Sequence, residues 1–146
     1  MAQCLVIIKP DAVKAGNVGK IISMIEDQRY RICFIHLTQL THEKACIFYE
    51  EHRGKDFFER NAFFMSSGPI FVLLVEPLDI QQGETTIQMI EHLRDIIGDT
   101  DPKKASVGTI RQLFGTELPK NAIHVSDSEE SLEREMVFFF EELNEE

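Results

Sequence analysis

Cysteine is scarce in this chain, and its three residues, Cys4, Cys33 and Cys46, form neither a close pair nor a spacing typical of metal ligands. Their odd number and the lack of a recognisable signal segment predict reduced thiols and a cytoplasmic location. No apolar run approaches the ~20 residues that a membrane-spanning helix requires. The sequence therefore favours neither a disulfide framework nor a membrane segment.

Positive charge is scarce as well, since 15 lysines and arginines stand against 25 aspartates and glutamates, a formal net charge of -10. A surface of this sign repels the phosphate backbone of nucleic acids and the headgroups of anionic membranes. We therefore expect neither a nucleic acid nor a membrane as a partner. If the ligand is a polyanion, its site must gather its own cations against this background.

Repeats, linkers and low-complexity tracts are also missing from the 146 residues. A hydrophobic share of 43% and a charged share of 27% are typical of a globular chain. This length suits one domain, which we expect over residues 1–146. Only the acidic end, residues 141–146, is expected to fray.

What the sequence does contain is an alternation of apolar patterns with the periods of strands and helices. Apolar or alternating runs predict strands over residues 4–9, 31–39, 70–76 and 122–125. Helical spacing and capping residues predict helices over residues 18–28, from 41 onward, 56–64, 83–97, within 108–115, and 128–140. The order fits either a doubly wound parallel sheet or a split β-α-β sandwich with an antiparallel sheet, and the pattern alone does not choose.

Segment 121–128 carries the clearest chemical signal. His124 closes the last predicted strand, and small polar residues follow it before a predicted helix. Free N–H groups at a helix N-terminus attract phosphate, and a neutral imidazole facing that point can act as a nucleophile near pH 7. Because short motifs often arise by chance, this segment taken alone favours a helix cap that happens to follow a histidine.

Cations elsewhere in the chain favour a phosphate-binding site over a simple helix cap. Lys9 ends the first predicted strand before a proline loop, and Arg94, Thr100 and Arg111 follow later in the chain. A lysine, two arginines and a threonine are the groups that clamp a polyphosphate. Each of them alone is typical of a solvated surface. Together, in an acidic chain, they predict an anionic ligand.

Six segments, in order along the chain, resemble the successive signatures of nucleoside diphosphate kinases. They are 8–13 (IKPDAV), 52–53 (HR) with 57–58 (FF), 67–69 (SGP), 98–102 (GDTDP), 108–111 (GTIR) and 121–128 (NAIHVSDS). Any one of them is weak evidence, but the ordered set spans nearly the whole chain and is highly specific. The resemblance implies a ferredoxin-like α/β sandwich, in which helices flank a four-stranded antiparallel sheet.

The resemblance also implies an activity: ping-pong transfer of the terminal phosphoryl group from a nucleoside triphosphate to a nucleoside diphosphate. By similarity, His124 is the nucleophile that becomes phosphorylated, Glu135 orients its ring, and Ser126 lies nearby. Contacts to the phosphates, the ribose and the base carry over to Lys9, Tyr49, Phe57, Arg94, Thr100, Arg111 and Asn121. Within that set, Phe57 matches the aromatic residue on which the base stacks, which implies broad base specificity.

Cofactor and assembly are implied in the same way. The cofactor is Mg²⁺, held mainly by the phosphates of the nucleotide, with Asp127 close to its approach. The assembly is a homo-oligomer, either a tetramer or a hexamer. The other histidines, His36, His42, His52 and His92, show no metal-ligand spacing and are interpreted as structural or surface residues.

Among the departures from the family pattern, two have the largest consequences. Val125 stands where glycine is usual, and a β-branched residue is costly there if the backbone needs a positive φ. Residues 79–93 belong to a stretch about nine residues longer than usual, which predicts an insertion. Val125 motivates an alternative hypothesis, a nucleotide-binding or scaffolding homologue with impaired catalysis.

Overall fold

The computed structural model describes residues 2–79, 81 and 83–142, which form four strands and seven α-helices. The strands are β1 (Cys4–Ile8), β2 (Tyr30–Thr38), β3 (Ile70–Pro77) and β4 (Ile123–Val125). The helices are α1 (Pro10–Lys14), α2 (Val18–Asp27), α3 (His42–Phe48), α4 (Phe58–Met65), α5 (Thr86–Ile97), α6 (Ile110–Phe114) and α7 (Glu129–Val137). A 3₁₀ turn (Glu50–His52) follows α3, and a π-helical turn (Phe138–Glu142) follows α7.

The four strands form one sheet in the order β2-β3-β1-β4, with every neighbouring pair antiparallel. This arrangement confirms the predicted four-stranded antiparallel sheet and excludes the doubly wound parallel alternative. The pairing of β2 with β3 shifts register between Ile32 and Phe34, so Cys33 lies at a bulge. None of the helices in the described part of the chain is long and apolar enough to cross a membrane.

Strand β1 lies inside the sheet, and all five of its side chains are buried. Successive side chains of a strand point to opposite faces, so a strand covered on both faces is apolar throughout. Cys4, Val6 and Ile8 belong to one core cluster, and Leu5 and Ile7 to the other. The uninterrupted apolar run that predicted this strand therefore follows from helices on both faces of the sheet.

Each face of the sheet is covered by its own helices. On one face, α2 and α5 contribute Ile25 and Leu93 to a core with β1 and β3. On the other, α3 and α4 contribute Ala45 and Ala62, and the π-helical turn adds Phe138. The second face is the one on which the candidate site is built.

Several helix ends follow capping chemistry that the sequence displays. The Thr41 side chain accepts a hydrogen bond from the Lys44 N–H, which confirms the predicted cap of α3. Thr85 and Gln88 form a capping box, so α5 begins at Thr86 and not at the predicted residue 83. The caps satisfy backbone donors that a helix leaves free at its first turn.

Two sequence-based element predictions were wrong in detail. The predicted loop after β1 is the short helix α1, because Pro10 occupies a first-turn position where its missing N–H costs nothing. The single helix predicted over residues 128–140 ends at Val137 and continues as the π-helical turn. Ile80 and Gln82 of the predicted insertion, and residues 143–146 of the predicted acidic end, lie outside the described residues.

Candidate active site

Strand β4 sets the direction of the His124 side chain. His124 lies opposite Ile7 of β1, and Ile123 and Val125 on either side of it are buried in the core of the other face. Because cross-strand partners share a face, His124 points to the side covered by α3 and α7. There its ring lies 5.5 Å from that of Phe48 in an edge-on arrangement.

One nitrogen of His124 is held by a buried carboxylate. His124 Nε2 lies 2.9 Å from Glu135 Oε1, and the same oxygen accepts a hydrogen bond of 2.7 Å from the Ser126 hydroxyl. Burial raises the pKa of Glu135, but the charge and hydrogen bond of His124 and the Ser126 hydrogen bond outweigh it and leave that pKa below its usual value. Glu135 is thus a carboxylate that fixes the Nε2–H tautomer, which leaves the lone pair on Nδ1.

The chain turns sharply just before β4. Ala122 has a φ of 73°, a conformation that costs free energy for any residue with a side chain. Its N–H donates to Asp11 Oδ2 at 3.0 Å, and its carbonyl accepts from the Lys9 N–H at 2.8 Å. The segment after β1 therefore holds the strained residue that places His124 two positions later.

Lys9 is a buried cation whose bonds are all to neutral oxygens in the described part of the chain. Its Nζ donates to the Pro119 carbonyl at 2.9 Å and to Asn121 Oδ1 at 2.8 Å. Desolvation and the nearby positive charge of Arg111 lower the pKa of Lys9 to about 7. Asn121 is held in turn by a bond from its Nδ2 to the Thr100 carbonyl at 2.9 Å.

Arg111 is a second buried cation in the same place. Its Nη1 donates to the Gly98 carbonyl at 3.1 Å and its Nη2 to the Ile123 carbonyl at 2.9 Å. Desolvation and the charge of Arg94 lower the pKa of Arg111 to about 10, and its buried Nε has no hydrogen-bond partner among the described residues. Two desolvated cations, each with a further positive charge nearby, form a site that favours a polyanion.

Gly98 allows a backbone turn whose carbonyl accepts a hydrogen bond from Arg111. Gly98 has a φ of 89°, and a Cβ built on it would lie 2.5 Å from the Thr109 hydroxyl oxygen. Only glycine therefore allows this turn to approach Thr109, the N-cap of α6. The turn directs the Gly98 carbonyl toward Arg111, so the glycine-containing segments 98–102 and 108–111 act as one unit.

The predicted site residues surround one cleft with a volume of about 340 Å³, the size of a small-molecule site. All of them except Ser126 line it: Lys9, Tyr49, Phe57, Arg94, Thr100, Arg111, Asn121, His124, Asp127 and Glu135. Ser126 is fully buried and reaches the site through its bond to Glu135. Phe58, beside Phe57, is a core residue.

The cleft also contains residues that the sequence analysis left out or assigned elsewhere. His52, interpreted as a structural or surface residue, lines the cleft with its ring 5.4 Å from that of Phe57. Arg60 and Asn61 also line it. Positions three and four residues after Phe57 share its side of a helix, so helical spacing from the predicted base contact was the signal for both.

The backbone at Val125 does not have the positive φ for which the family's glycine would be needed. It is the last residue of β4, and its side chain is 2% exposed in the core. An extended backbone suits a β-branched residue. Its carbonyl accepts a hydrogen bond from Arg94 Nη1 at 3.3 Å, so Val125 supports the site through its backbone.

Carboxylate ligands for a metal are few in this cleft. Asp127 is exposed, and its Oδ1 accepts a short hydrogen bond of 2.5 Å from the Ser131 hydroxyl. That bond lowers the pKa of Asp127, aided by the charge of Arg94 against a smaller effect of burial. Glu135 is engaged by His124 and Ser126. This donor set suits a cation that brings most of its oxygen ligands with it, as magnesium nucleotides do.

The chain matches one family of known proteins along nearly its whole length. A family model described as Nucleoside diphosphate kinase matches residues 2–144. The nucleoside diphosphate kinase of Methanocaldococcus jannaschii is 44% identical over 140 residues, which cover 96% of this chain and 94% of the relative. Nucleoside diphosphate kinase 1 of Protochlamydia amoebophila is 43% identical over 138 residues, which cover 94% of this chain and 92% of the relative.

Solved structures agree with these relatives. The nucleoside diphosphate kinase of Aquifex aeolicus has a TM-score of 0.85 at 38% identity, over 97% of this chain and 96% of that chain. The ferredoxin-like fold expected from the ordered motifs is thereby confirmed. With agreement in sequence, in fold and in length, the chain belongs to the nucleoside diphosphate kinase family of phosphotransferases, and its substrates are nucleotides.

Proposed function

We propose that this chain transfers the terminal phosphoryl group from a nucleoside triphosphate to a nucleoside diphosphate through a phosphohistidine on Nδ1 of His124. One observation carries the proposal. Glu135 holds Nε2 of the same ring at 2.9 Å, while the ring lines a cleft that contains the buried cations Lys9 and Arg111. A nucleophile with a fixed tautomer beside desolvated cations is the arrangement that phosphoryl transfer requires.

In the first half-reaction, the Nδ1 lone pair of His124 attacks the γ-phosphorus of the triphosphate. A P–N bond forms, the bond from the γ-phosphorus to the bridging oxygen breaks, and its electron pair leaves on the diphosphate. The Nε2 proton stays directed at Glu135, which offsets the positive charge that develops on the ring. Lys9 and Arg111, whose pKa values are lowered mainly by burial, neutralise charge on the phosphate oxygens.

In the second half-reaction, a different diphosphate enters the same cleft and takes the phosphoryl group back from Nδ1. One clamp serves both nucleotides, so we expect ping-pong kinetics. The bonds broken and made are alike, so the equilibrium constant should be near unity. Arg94 and Thr100 complete the phosphate contacts, and Asn121, whose amide is already oriented by Lys9 and Thr100, faces the ribose.

Mg²⁺ completes the proposed site as part of the nucleotide complex. It would be held by phosphate oxygens, with Asp127 as an exposed carboxylate of the cleft nearby. Its role is to neutralise charge on the phosphates during transfer. For the base, we propose stacking on Phe57, beside His52, which discriminates little between bases.

The impaired homologue is not favoured by any feature of the site. That hypothesis depended on backbone strain at Val125. Val125 is instead an ordinary strand residue. His124, Glu135 and both buried cations are in place around it. We therefore assign catalysis, not binding alone, to this cleft.

We also propose a homo-oligomer, a tetramer or hexamer, in the cytoplasm. Strand β2 is an edge strand of the sheet and exposes three large apolar side chains, Phe34 at 36%, Ile35 at 51% and Leu37 at 55%. An apolar edge strand of this kind is typical of a surface that another chain covers. Light scattering on the eluting protein would give the mass of the assembly, and a monomer at micromolar concentration would exclude this part of the proposal.

The intact mass of the protein after incubation with ATP and Mg²⁺ tests the mechanism directly. We expect a single acid-labile phosphoryl adduct, which is absent from His124→Ala and is discharged by GDP with formation of GTP. Phosphorylation of His52→Ala, whose ring lines the same cleft, serves as the matched control and should still occur. Measurable nucleotide binding with no adduct would move the chain to the binding class.

A further inference from the structure

A second group of potential metal ligands lies on the outer side of helices α3 and α4. His42 and Cys46 occupy consecutive turns of α3, and Glu59 lies in the first turn of α4. His42 Nε2 is 3.7 Å from Cys46 Sγ and 3.2 Å from Glu59 Oε2. The potential ligand atoms of the three residues all lie within 4.8 Å of one another.

These distances match those between ligands of a tetrahedral zinc ion. Zinc binds sulfur at about 2.3 Å and nitrogen or oxygen at about 2.0–2.1 Å, which places a sulfur and a nitrogen ligand roughly 3.5 Å apart, and a nitrogen and an oxygen ligand roughly 3.3 Å apart. The observed separations of 3.7 Å and 3.2 Å differ from these by a few tenths of an ångström. The Cys46 and Glu59 ligand atoms lie within 4.8 Å of each other, so a rotation of the exposed Glu59 side chain is the adjustment that one shared ion requires.

The backbone that carries the three residues is fixed by the core. Ala45 of α3 and Ala62 of α4 are fully buried in the same cluster, and the Thr41 cap determines where α3 begins. Residues four apart on a helix share a face, so His42 and Cys46 project together toward Glu59. Packing of the two helices has therefore assembled the ligand positions before any ion binds, which lowers the entropic cost of binding.

We propose that His42, Cys46 and Glu59 form a zinc-binding site with water in the fourth position. A thiolate, an imidazole and a carboxylate together favour Zn²⁺ over the oxygen-seeking Mg²⁺ of the nucleotide. The thiol loses its proton to solvent when the Zn–S bond forms, so binding strengthens as pH rises. This site is separate from the nucleotide cleft, which none of its three residues lines.

The site links two elements that border the cleft. Tyr49 directly follows α3, Phe57 directly precedes α4, and both line the cleft. An ion that joins α3 to α4 fixes the spacing between these two side chains. Zinc is therefore expected to stabilise the fold and to leave the phosphoryl-transfer chemistry at His124 intact.

Binding of Co²⁺ to nucleotide-free protein is the test, because a cobalt–thiolate bond gives a charge-transfer absorption that oxygen and nitrogen ligands do not. We expect one equivalent of Co²⁺ to produce this band in the wild type, and Zn²⁺ to abolish it by displacement. Cys46→Ser should lose the band. Loss of a residue that only hydrogen-bonds to a metal ligand already weakens metal sites roughly ten- to hundredfold. Loss of a ligand itself, in His42→Ala or Glu59→Gln, should therefore weaken Co²⁺ binding by at least about tenfold.

Cys33→Ser is the matched control, since Cys33 is an exposed thiol on β2. It should keep the full band and the wild-type affinity. Zinc should raise the melting temperature of the wild type and of Cys33→Ser but not of Cys46→Ser, a comparison that also detects any variant that fails to fold. No band at micromolar Co²⁺, or a band that survives Cys46→Ser, would overturn the proposal.

Discussion

The pairs His124–Glu135 and His42–Glu59 are of similar length, and their surroundings differ sharply. In the cleft, His124 Nε2 is 2.9 Å from Glu135, whose side chain is 7% exposed. On the outer side of α3 and α4, His42 Nε2 is 3.2 Å from Glu59, whose side chain is 72% exposed. Water competes for the exposed pair and weakens its electrostatic attraction, whereas the buried pair has no such competitor. Burial, more than distance, separates a pair that fixes a tautomer from one that does not.

The third member of each group extends the comparison. Ser126 is fully buried and donates a hydrogen bond to Glu135, so it stabilises the carboxylate. Cys46 is only partly buried and faces His42, so its thiol is free to exchange a proton for a metal ion. The first group is built to position one ring nitrogen, and the second is arranged to coordinate a cation.

Removal of the two histidines should give the largest contrast. We expect His124→Ala to lower kcat at least about 10⁴-fold, because the covalent route is lost with the nucleophile. His42→Ala should leave kcat within about twofold in zinc-free buffer. A coupled ADP-formation assay on both variants measures the ratio, and a residual kcat of a few per cent in His124→Ala would mean that another group accepts the phosphoryl.

Neutralising the two carboxylates should give a smaller contrast. Glu135→Gln keeps the shape of the side chain but no longer stabilises the imidazole as it gains charge, so kcat should fall by about ten- to hundredfold. Glu59→Gln should be neutral for kcat. Steady-state kinetics at saturating nucleotide separates this effect from binding, and equal losses in the two variants would contradict the role of burial.

The same contrast of buried and exposed charge applies to two lysines, and it makes nucleotide affinity depend on pH. Because the pKa of buried Lys9 is lowered to about 7, its ammonium is charged below that pH and neutral above it. ADP favours the charged form, so its affinity should fall as pH rises through 7, by up to about tenfold per pH unit. Lys9→Met should bind ADP about tenfold more weakly below pH 7 and lose this slope.

Exposed Lys55 lies over the Phe57 ring at 5.8 Å and provides the control for that measurement. Lys55→Met should retain the wild-type pH dependence, since its ammonium is not part of the buried clamp. Isothermal titration of ADP between pH 6 and pH 9 measures both variants. A wild-type affinity that does not change over this interval would mean that Lys9 stays charged throughout.

The smallest effect on activity is expected at Val125. Val125→Gly removes a buried side chain and adds backbone freedom, so the free energy of unfolding should fall by about 2 kcal/mol. We expect kcat to stay within about twofold, because the Arg94 contact is to the backbone carbonyl. Val107→Gly, at a side chain 92% exposed, is the matched control and should destabilise the fold less. Denaturant unfolding and kinetics on the same samples test both statements.

Much of this fold could be predicted from periodicity and caps. The apolar run of β1 and the threonine that caps α3 are local signals, and both elements lie where the sequence placed them. The direction of strand pairing is not local, so the element order left two topologies open. The π-helical turn after Val137 was missed for the same reason, because Phe138 is held there by packing against the sheet.

The candidate site divides in the same way. The ordered motifs predicted which side chains meet, and the cleft gathers nearly all of them. They did not predict that Lys9 and Arg111 would be desolvated, because burial depends on residues far away in the sequence. Lys9 and Asn121, bonded at 2.8 Å, are 112 positions apart.

The sequence by itself determined the order of elements, the family and the identity of the candidate nucleophile, because these depend on residue type and on spacing along the chain. Tertiary structure decided which nitrogen of His124 is held, how far the pKa of Lys9 falls, and that His42 and Cys46 meet Glu59 of the next helix. Each of these depends on the dielectric surroundings or on a contact between elements, and both arise only when the sheet and its helices pack together.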